Sequence, residues 1–200
     1  MQFQSPIGSI LATVILLAGY TTSKPGLNTI LEDAAKKQKR LMHRIIDASI
    51  DIDASPEEVW SVIVDFNSWE SWNDFIPIVE GNLQVGERIR IKVVPPGLKP
   101  MTFNPEVYVI KPIEAIVWGG SFLKIIYRGD HTFLLEPIPG GKTRFRQIER
   151  FMGPMVLFMG GMIKKTEVGY HQMNLALKER VENNNKNIIS DKTPNNTIKH

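Results

Sequence analysis

Residues 44–54 alternate Ile46, Ala48, Ile50 and Ile52 with polar side chains, the period of a strand with one buried face. Ser55 then caps a helix that has Pro56 at its first position and Glu57 and Glu58 in its first turn, where the macrodipole favours acids. Val59, Trp60, Val62 and Ile63 carry that helix to about Asp65, and a second short helix or turn brings Trp69, Trp72 and Phe75 forward before Pro77. Runs of period two follow over 87–94, 103–110, 115–118, 124–136 and 142–151, with Pro139, Gly140 and Gly141 the clearest hairpin turn. Over 155–182, Met159, Met162, Ile163, Thr166, Tyr170, Met173, Leu177 and Val181 recur mostly at spacings of three and four, a stripe that can lie on a sheet. Gly160 and Gly161 are predicted to kink or fray the first turns of that helix. This order defines an α+β architecture: a curved antiparallel β-sheet wrapped around a long C-terminal helix, with two short helices after the first strand. Such a fold encloses a pocket wherever the helix does not fill the sheet's concavity.

The two ends depart from this pattern. Residues 7–20 are an apolar run of 14 without charge, which as a helix rises about 21 Å against a hydrocarbon core of about 30 Å. The length suits a signal peptide's apolar region, but no Lys or Arg precedes it and Tyr20 stands where cleavage wants a small residue. All nearby positive charge follows the run, which by the positive-inside rule leaves the domain on the cytoplasmic side. The expectation is a membrane-attached leader or signal anchor over 1–23. A cleaved leader on a secreted chain, or an apolar extension of a soluble cytoplasmic one, are the alternatives. Residues 24–40 read as a basic linker with a short helix, 41–182 as the folded domain, and the Asn- and Lys-rich 183–200 as a disordered polar tail.

Composition narrows the chemistry. At 200 residues, 42% hydrophobic and 22% charged, this is one globular domain with tails. The formal charge of +3 is a sum of unlike parts: residues 24–44 hold six basic and two acidic side chains, 45–182 hold 15 and 18, and the tail holds three and one. The folded part is thus mildly acidic, which argues against a nucleic-acid partner. The basic stretch behind the apolar run suggests an anionic membrane surface as a partner instead. With no cysteine there is no disulfide, thiol nucleophile or Cys-ligated metal. His43, His131, His171 and His200 lack metal-ligand spacing, and neither a phosphate-cradling glycine loop nor a nucleophile elbow is present. No metal or other cofactor is expected, and nothing in the pattern fixes an oligomeric state.

Strand alternation selects what faces the concavity. On 124–136 the apolar face holds Tyr127, Gly129, His131, Phe133 and Leu135; on 142–151 it holds Phe145, Gln147, Glu149 and Phe151. Ile89, Ile91 and Val93 on 87–94, and Ile116 and Trp118 on the strand from 115, share that side. Trp72, Asn73 and Phe75 stand at one rim, with Met162, Tyr170 and Met173 on the helix stripe opposite. The opposite face, with Arg144, Arg146 and Arg150, reads as solvated and paired with acids across the strand. His131 and Glu149 are the minimum pair for acid–base work on an enolisable ketone or a dehydration. Ordinary packing and satisfied hydrogen bonding are the competing reading for each of these residues.

The segments ASPEEVWSVIVDFNSWESWNDFI (54–76), EGNLQVGERIRIKVVPPG (80–97), MTFNPEVYVIKP (101–112) and GDHTFLLEPIPGGKTRFRQIERFMG (129–153) resemble the SRPBCC superfamily of START-like, helix-grip domains. The nearest subgroup is that of polyketide cyclases/dehydrases and lipid transport. The resemblance covers 41–182. It implies the helix-grip fold and a ligand cavity between sheet and C-terminal helix. Related sequences usually begin near the position of Leu41, so the apolar leader is a departure. The resulting expectation is binding or transport of a small hydrophobic ligand, lipid or polyketide-like, in a cavity lined by Trp72, Asn73, Phe75, Ile89, Ile91, Trp118, Tyr127, Phe133, Phe145, Gln147, Met162, Tyr170 and Met173. One alternative is a cyclase or dehydratase using His131 and Glu149 as acid and base, without metal or nucleotide. The other is a partner-binding module with a filled core.

Overall fold

The structure is a computed structural model, and it describes residues 42–123 and 125–191 together with positions 32 and 36. The chain divides into two compact units, Met1–Lys39 and Arg40–His200; every element named below belongs to the second. The apolar run 7–20, most of the basic linker and residues 192–200 lie outside the described residues. Among the described residues no helix is long and apolar enough to cross a membrane.

Strand β1 (His43–Ile52) carries the expected alternation, with Ile46, Ala48 and Ile52 buried. Helix α1 (Pro56–Val64) follows at once. Ser55 Oγ accepts from the Glu58 N–H while the Glu58 carboxylate accepts from the Ser55 N–H at 2.8 Å, a reciprocal capping box. A 3₁₀ turn (Phe66–Ser71) then buries Trp69 completely, its Nε1 donating to the Ile63 carbonyl at 3.1 Å. The remaining strands are β2 (Ile78–Glu80), β3 (Arg90–Val93), β4 (Met101–Phe103), β5 (Glu106–Lys111), β6 (Ala115–Phe122), β7 (Tyr127–Ile138) and β8 (Lys142–Met152). Five form an antiparallel sheet in the order β1-β8-β7-β6-β5, and β2-β3-β4 form a second. Backbone bonds join the two: Gly86 N–H to the Val107 carbonyl and Val107 N–H to the Glu87 carbonyl, each 2.9 Å, and Ile89 N–H to the Pro105 carbonyl at 3.0 Å.

After a second 3₁₀ turn (Pro154–Phe158) helix α2 (Gly160–Asp191) lays Ile163, Tyr170, Met173, Leu177 and Val181 into the core. Its stretch around Lys178 and Glu182 is tied down. Lys178 Nζ donates to the Asp51 carbonyl and to Glu182 Oε1, both at 2.7 Å, and Glu182 accepts from the Asp53 N–H at 2.9 Å. On the outer face Arg144 grips Asp51 with two bonds of 2.7 and 3.0 Å, and Arg146 pairs with Asp47 and Glu136.

Several boundaries differ from the pattern. The run 103–110 breaks into β4 and β5 at Asn104-Pro105, because Pro105 has no N–H to give a ladder. Strand β2 has only three residues, too few to show a period, whereas β6 continues through Gly119 and Gly120 to Phe122. Gly160 and Gly161 do not interrupt a helix that begins at 155. They open α2, where missing side chains cost least, and the apolar residues before them form the 3₁₀ turn. Helix α2 also passes 182 and runs to Asp191, since adding residues to an existing helix needs no new nucleus.

Candidate functional site

A cavity of about 500 Å³ opens between α2 and one end of the sheet. The helix fills the other end. On β7, Phe133 and Leu135 are covered, while His131, Gly129 and Tyr127 line the space; on β8, Phe145 and Gln147 are covered, while Glu149 and Phe151 line it. Trp118 of β6, Ile91 and Val93 of β3, Phe75, and Met162 and Tyr170 of α2 complete the largely apolar wall.

The polar end of this space comes from register. Trp118, His131 and Glu149 are direct cross-strand neighbours on β6, β7 and β8, so three side chains stand abreast on one face. Tyr170 reaches them from α2. Its hydroxyl lies 2.8 Å from His131 Nδ1 and donates to Glu149 Oε2 at 2.9 Å, while Nδ1 and Oε2 are 3.1 Å apart. An ionised carboxylate only accepts, and the phenol has a single hydrogen to give. With Glu149 ionised, the Tyr170 proton points to Oε2 and His131 must carry its proton on Nδ1, a tautomer assigned from the network. His131 Nε2 is buried without a hydrogen-bond partner among the described residues. Phe133 and Trp118 pack against the imidazole, with ring centroids 4.5 and 5.5 Å away.

Gly129 makes room for the rest. A Cβ there would lie 2.6 Å from the Tyr127 hydroxyl and 3.0 Å from Glu149 Oε1, so both polar atoms occupy space that any other residue would fill. Burial first, and then the Glu149 charge, raise the Tyr170 phenol well above the ordinary tyrosine range. Tyr127 moves the same way through burial, Glu149 and Asp130. Both phenols are therefore neutral donors at any physiological pH. Among the described residues no group of three or more His, Cys, Asp or Glu could hold a metal ion.

Of the residues expected from sequence, His131, Glu149, Phe75, Ile91, Trp118, Tyr127, Met162 and Tyr170 line the cavity. Ile89, Phe133, Phe145 and Met173 are packed in the core instead. Gln147 is also buried, its Nε2 donating to Asn174 Oδ1 at 2.7 Å, and Asn73 Oδ1 accepts from the Ile76 N–H at 3.0 Å. Trp72 sits on a separate, shallow polar cleft with Glu179 and Arg180. Sequence reasoning missed the mouth of the cavity, where Arg88, Met101, Phe103, Phe122 and Met155 contribute. Phe151 and Met159 carried the signal, as members of the inward strand face and the helix stripe.

The fold and site define a helix-grip protein with an apolar cavity closed at its inner end by a tyrosine–histidine–carboxylate network. Residues 43–182 match the family described as polyketide cyclase/dehydrase and lipid transport, and the chain belongs to that family. No curated protein matches it. Among solved structures, the Zhui aromatase/cyclase from Streptomyces sp. R1128 aligns with a TM-score of 0.57 at 14% identity, covering 70% of this chain and 94% of that one. Truncated norcoclaurine synthase from Thalictrum flavum gives 0.53 at 14% identity, covering 70% and 93%. Protein MLL2253 from Mesorhizobium loti gives 0.55 at 19%, covering 70% and 98%. At these identities the likeness shows the fold.

Proposed function

We propose that the chain holds a small hydrophobic molecule between the sheet and α2, and that this molecule carries a hydrogen-bond donor at its inner end. The observation behind this is the cavity itself: about 500 Å³, walled mainly by apolar and aromatic side chains, with Tyr127, His131, Glu149 and Tyr170 at its inner end. Glu149 Oε2 is engaged by Tyr170 and His131. Oε1 and the Tyr127 hydroxyl both stand over Gly129, and because a carboxylate oxygen only accepts, a hydroxyl or ammonium suits that end better than an anion. Native mass spectrometry of protein purified from its own source should show a co-purifying apolar compound. Protein that stays empty, and fails to take up either a fatty alcohol or an aromatic alcohol, would overturn the reading.

A second reading is favoured by the same network: an enzyme of the cyclase or dehydratase class. Glu149 and His131 would exchange a proton with an enolisable carbon or its oxygen, with Tyr170 holding the pair in register. Wild-type protein should then accelerate deuterium exchange next to the carbonyl of 2-tetralone, and Glu149→Gln and His131→Ala should each lose at least about tenfold. Equal exchange in all three removes the assignment.

We also infer, from sequence alone, that residues 7–20 attach the chain to a membrane with the basic stretch behind them on the cytoplasmic side. A chain lacking the first 23 residues should be extractable from membranes by high salt, whereas the full chain should need detergent. A truncated chain that still resists salt would sink this.

A further inference from the structure

Three separate segments meet at the cavity mouth, and all of them turn apolar side chains outward. Phe122 at the end of β6, Phe103 at the end of β4 and Met155 in the second 3₁₀ turn line the cavity, yet are 58%, 43% and 40% exposed. Beyond them Leu123 and Ile125 at the β6–β7 tip are 67% and 81% exposed, and Phe158 is 88% exposed. These are not scattered residues. The Met155 N–H donates to the Ile126 carbonyl at 3.2 Å, fastening the 3₁₀ turn to the hairpin tip, and Phe103 lines the same cavity from β4. Large apolar groups held in water around an opening mark a surface that meets something apolar.

Charge says what that is. The segments 91–105, 119–123, 125–128 and 151–166, which supply the rim, contain Lys92, Lys99, Arg128, Lys164 and Lys165 and not one Asp or Glu. This lies within a folded part that has more acids than bases. Of the carboxylates next to these segments, Glu106 pairs with Arg88 at 3.5 Å and Asp130 with Arg128 at 2.9 Å, while Glu167 is exposed on α2. Projecting aromatic and aliphatic side chains backed by lysines, with no acid among them, fit the interface of an anionic bilayer: the apolar tips enter the acyl boundary and the ammonium groups meet lipid phosphates. We infer that the cavity mouth rests on an anionic membrane surface, with Phe158 and Ile125 inserted. An apolar ligand could then pass between bilayer and cavity without crossing water. The rim can make this contact with neither an occupied cavity nor the N-terminal apolar run.

The absence of cysteine makes a clean test available in the full-length chain. Single variants Phe158→Cys, Ile125→Cys and, as a control on the outer face of β1, Ser49→Cys are labelled with an environment-sensitive fluorophore. They are mixed with vesicles of phosphatidylcholine and phosphatidylglycerol at about two to one, or of phosphatidylcholine alone. The labels at 158 and 125 should brighten and shift to the blue on the anionic vesicles, and be quenched by spin-labelled acyl chains, while the label at 49 stays unchanged. Salt of about 1 M, where the screening length is about 3 Å, should weaken the response. Labels at 158 and 125 that stay silent while the protein sediments with vesicles would mean that another segment binds the membrane, and would overturn the inference. So would silence without sedimentation, the outcome expected of a rim that receives a protein partner, and so would an equal response on neutral vesicles.

Discussion

Ile113 has φ of 67°, in the left-handed region where a β-branched side chain is strained. It follows Pro112 in the turn from β5 to β6, closed by the Glu114 N–H to the Lys111 carbonyl at 3.0 Å. Proline second and a positive φ third are the marks of a type II turn, whose third position favours Gly or Asn. Nothing in the cavity depends on Ile113, which is 39% exposed. Ile113→Gly should therefore raise stability by about 1 kcal/mol, the relieved strain exceeding the extra entropy of an unfolded glycine. A shift of the urea midpoint upward with unchanged slope is the expected result, and an unchanged or lower midpoint contradicts it. At the cavity the logic of single residues is different, because Tyr170 makes two contacts that no other residue could replace. Its hydroxyl ties the directly paired His131 and Glu149 to α2.

Among the elements, α2 does two jobs, and Gly169 divides them. After Tyr170 the buried residues Met173, Leu177 and Val181 pack into the core; before it, Met162 and Thr166 line the cavity while Ile163 is buried. A Cβ on Gly169 would run into the Phe75 ring, which also packs edge-on against Tyr170 at 5.3 Å between centroids. Gly169→Ala gains up to about 1 kcal/mol in helix propensity but forces Phe75 aside, so a net loss of about 1–3 kcal/mol is expected. Because Phe75 lines the cavity, the affinity for an apolar fluorescent probe should change too, whereas a neutral result in both measurements would show that the ring moves freely. Long strands and caps were readable in the sequence: Ser55 and Glu58 announce α1, and the alternation on β7 and β8 put His131, Gln147 and Glu149 on the inner face. Alternation names a face, however, and not what lies above it. Phe145 and Gln147 share that face with Glu149, and only the path of α2 decides that they are covered and Glu149 is not. Trp69 and Trp72 look alike in the sequence, and the tight 3₁₀ geometry buries one and leaves the other half-buried. The rim lay out of reach for a related reason: Phe103, Phe122 and Phe158 belong to hairpin tips and a turn, where no period operates and position comes from distant pairing.

The whole molecule buries two tyrosines, a histidine and a glutamate around the inner end of an apolar cavity, and this couples folding to high pH. Tyr127 and Tyr170 are both raised above the ordinary value of 10.0, by burial in the first place and by Glu149 in the second. In the unfolded chain both phenols ionise above about pH 10. In the native state they stay protonated, so in that range the native state binds more protons than the unfolded one. Stability contributed by the neutral phenols is then fully present below pH 10 and is lost as pH rises beyond it, by about 1.4 kcal/mol per pH unit for each tyrosine. Lysine titration overlaps this range, so the informative quantity is the difference between wild type and a variant. The urea-derived stability of Tyr170→Phe and of Tyr127→Phe should each decline less steeply than that of wild type between about pH 10 and 11, by about one proton's worth of slope. Identical slopes would mean that the phenols ionise in place, which a cavity end dry enough to hold them neutral does not allow. An apolar compound filling the cavity excludes water further, so tyrosinate absorbance should appear at still higher pH when the protein is loaded than when it is empty.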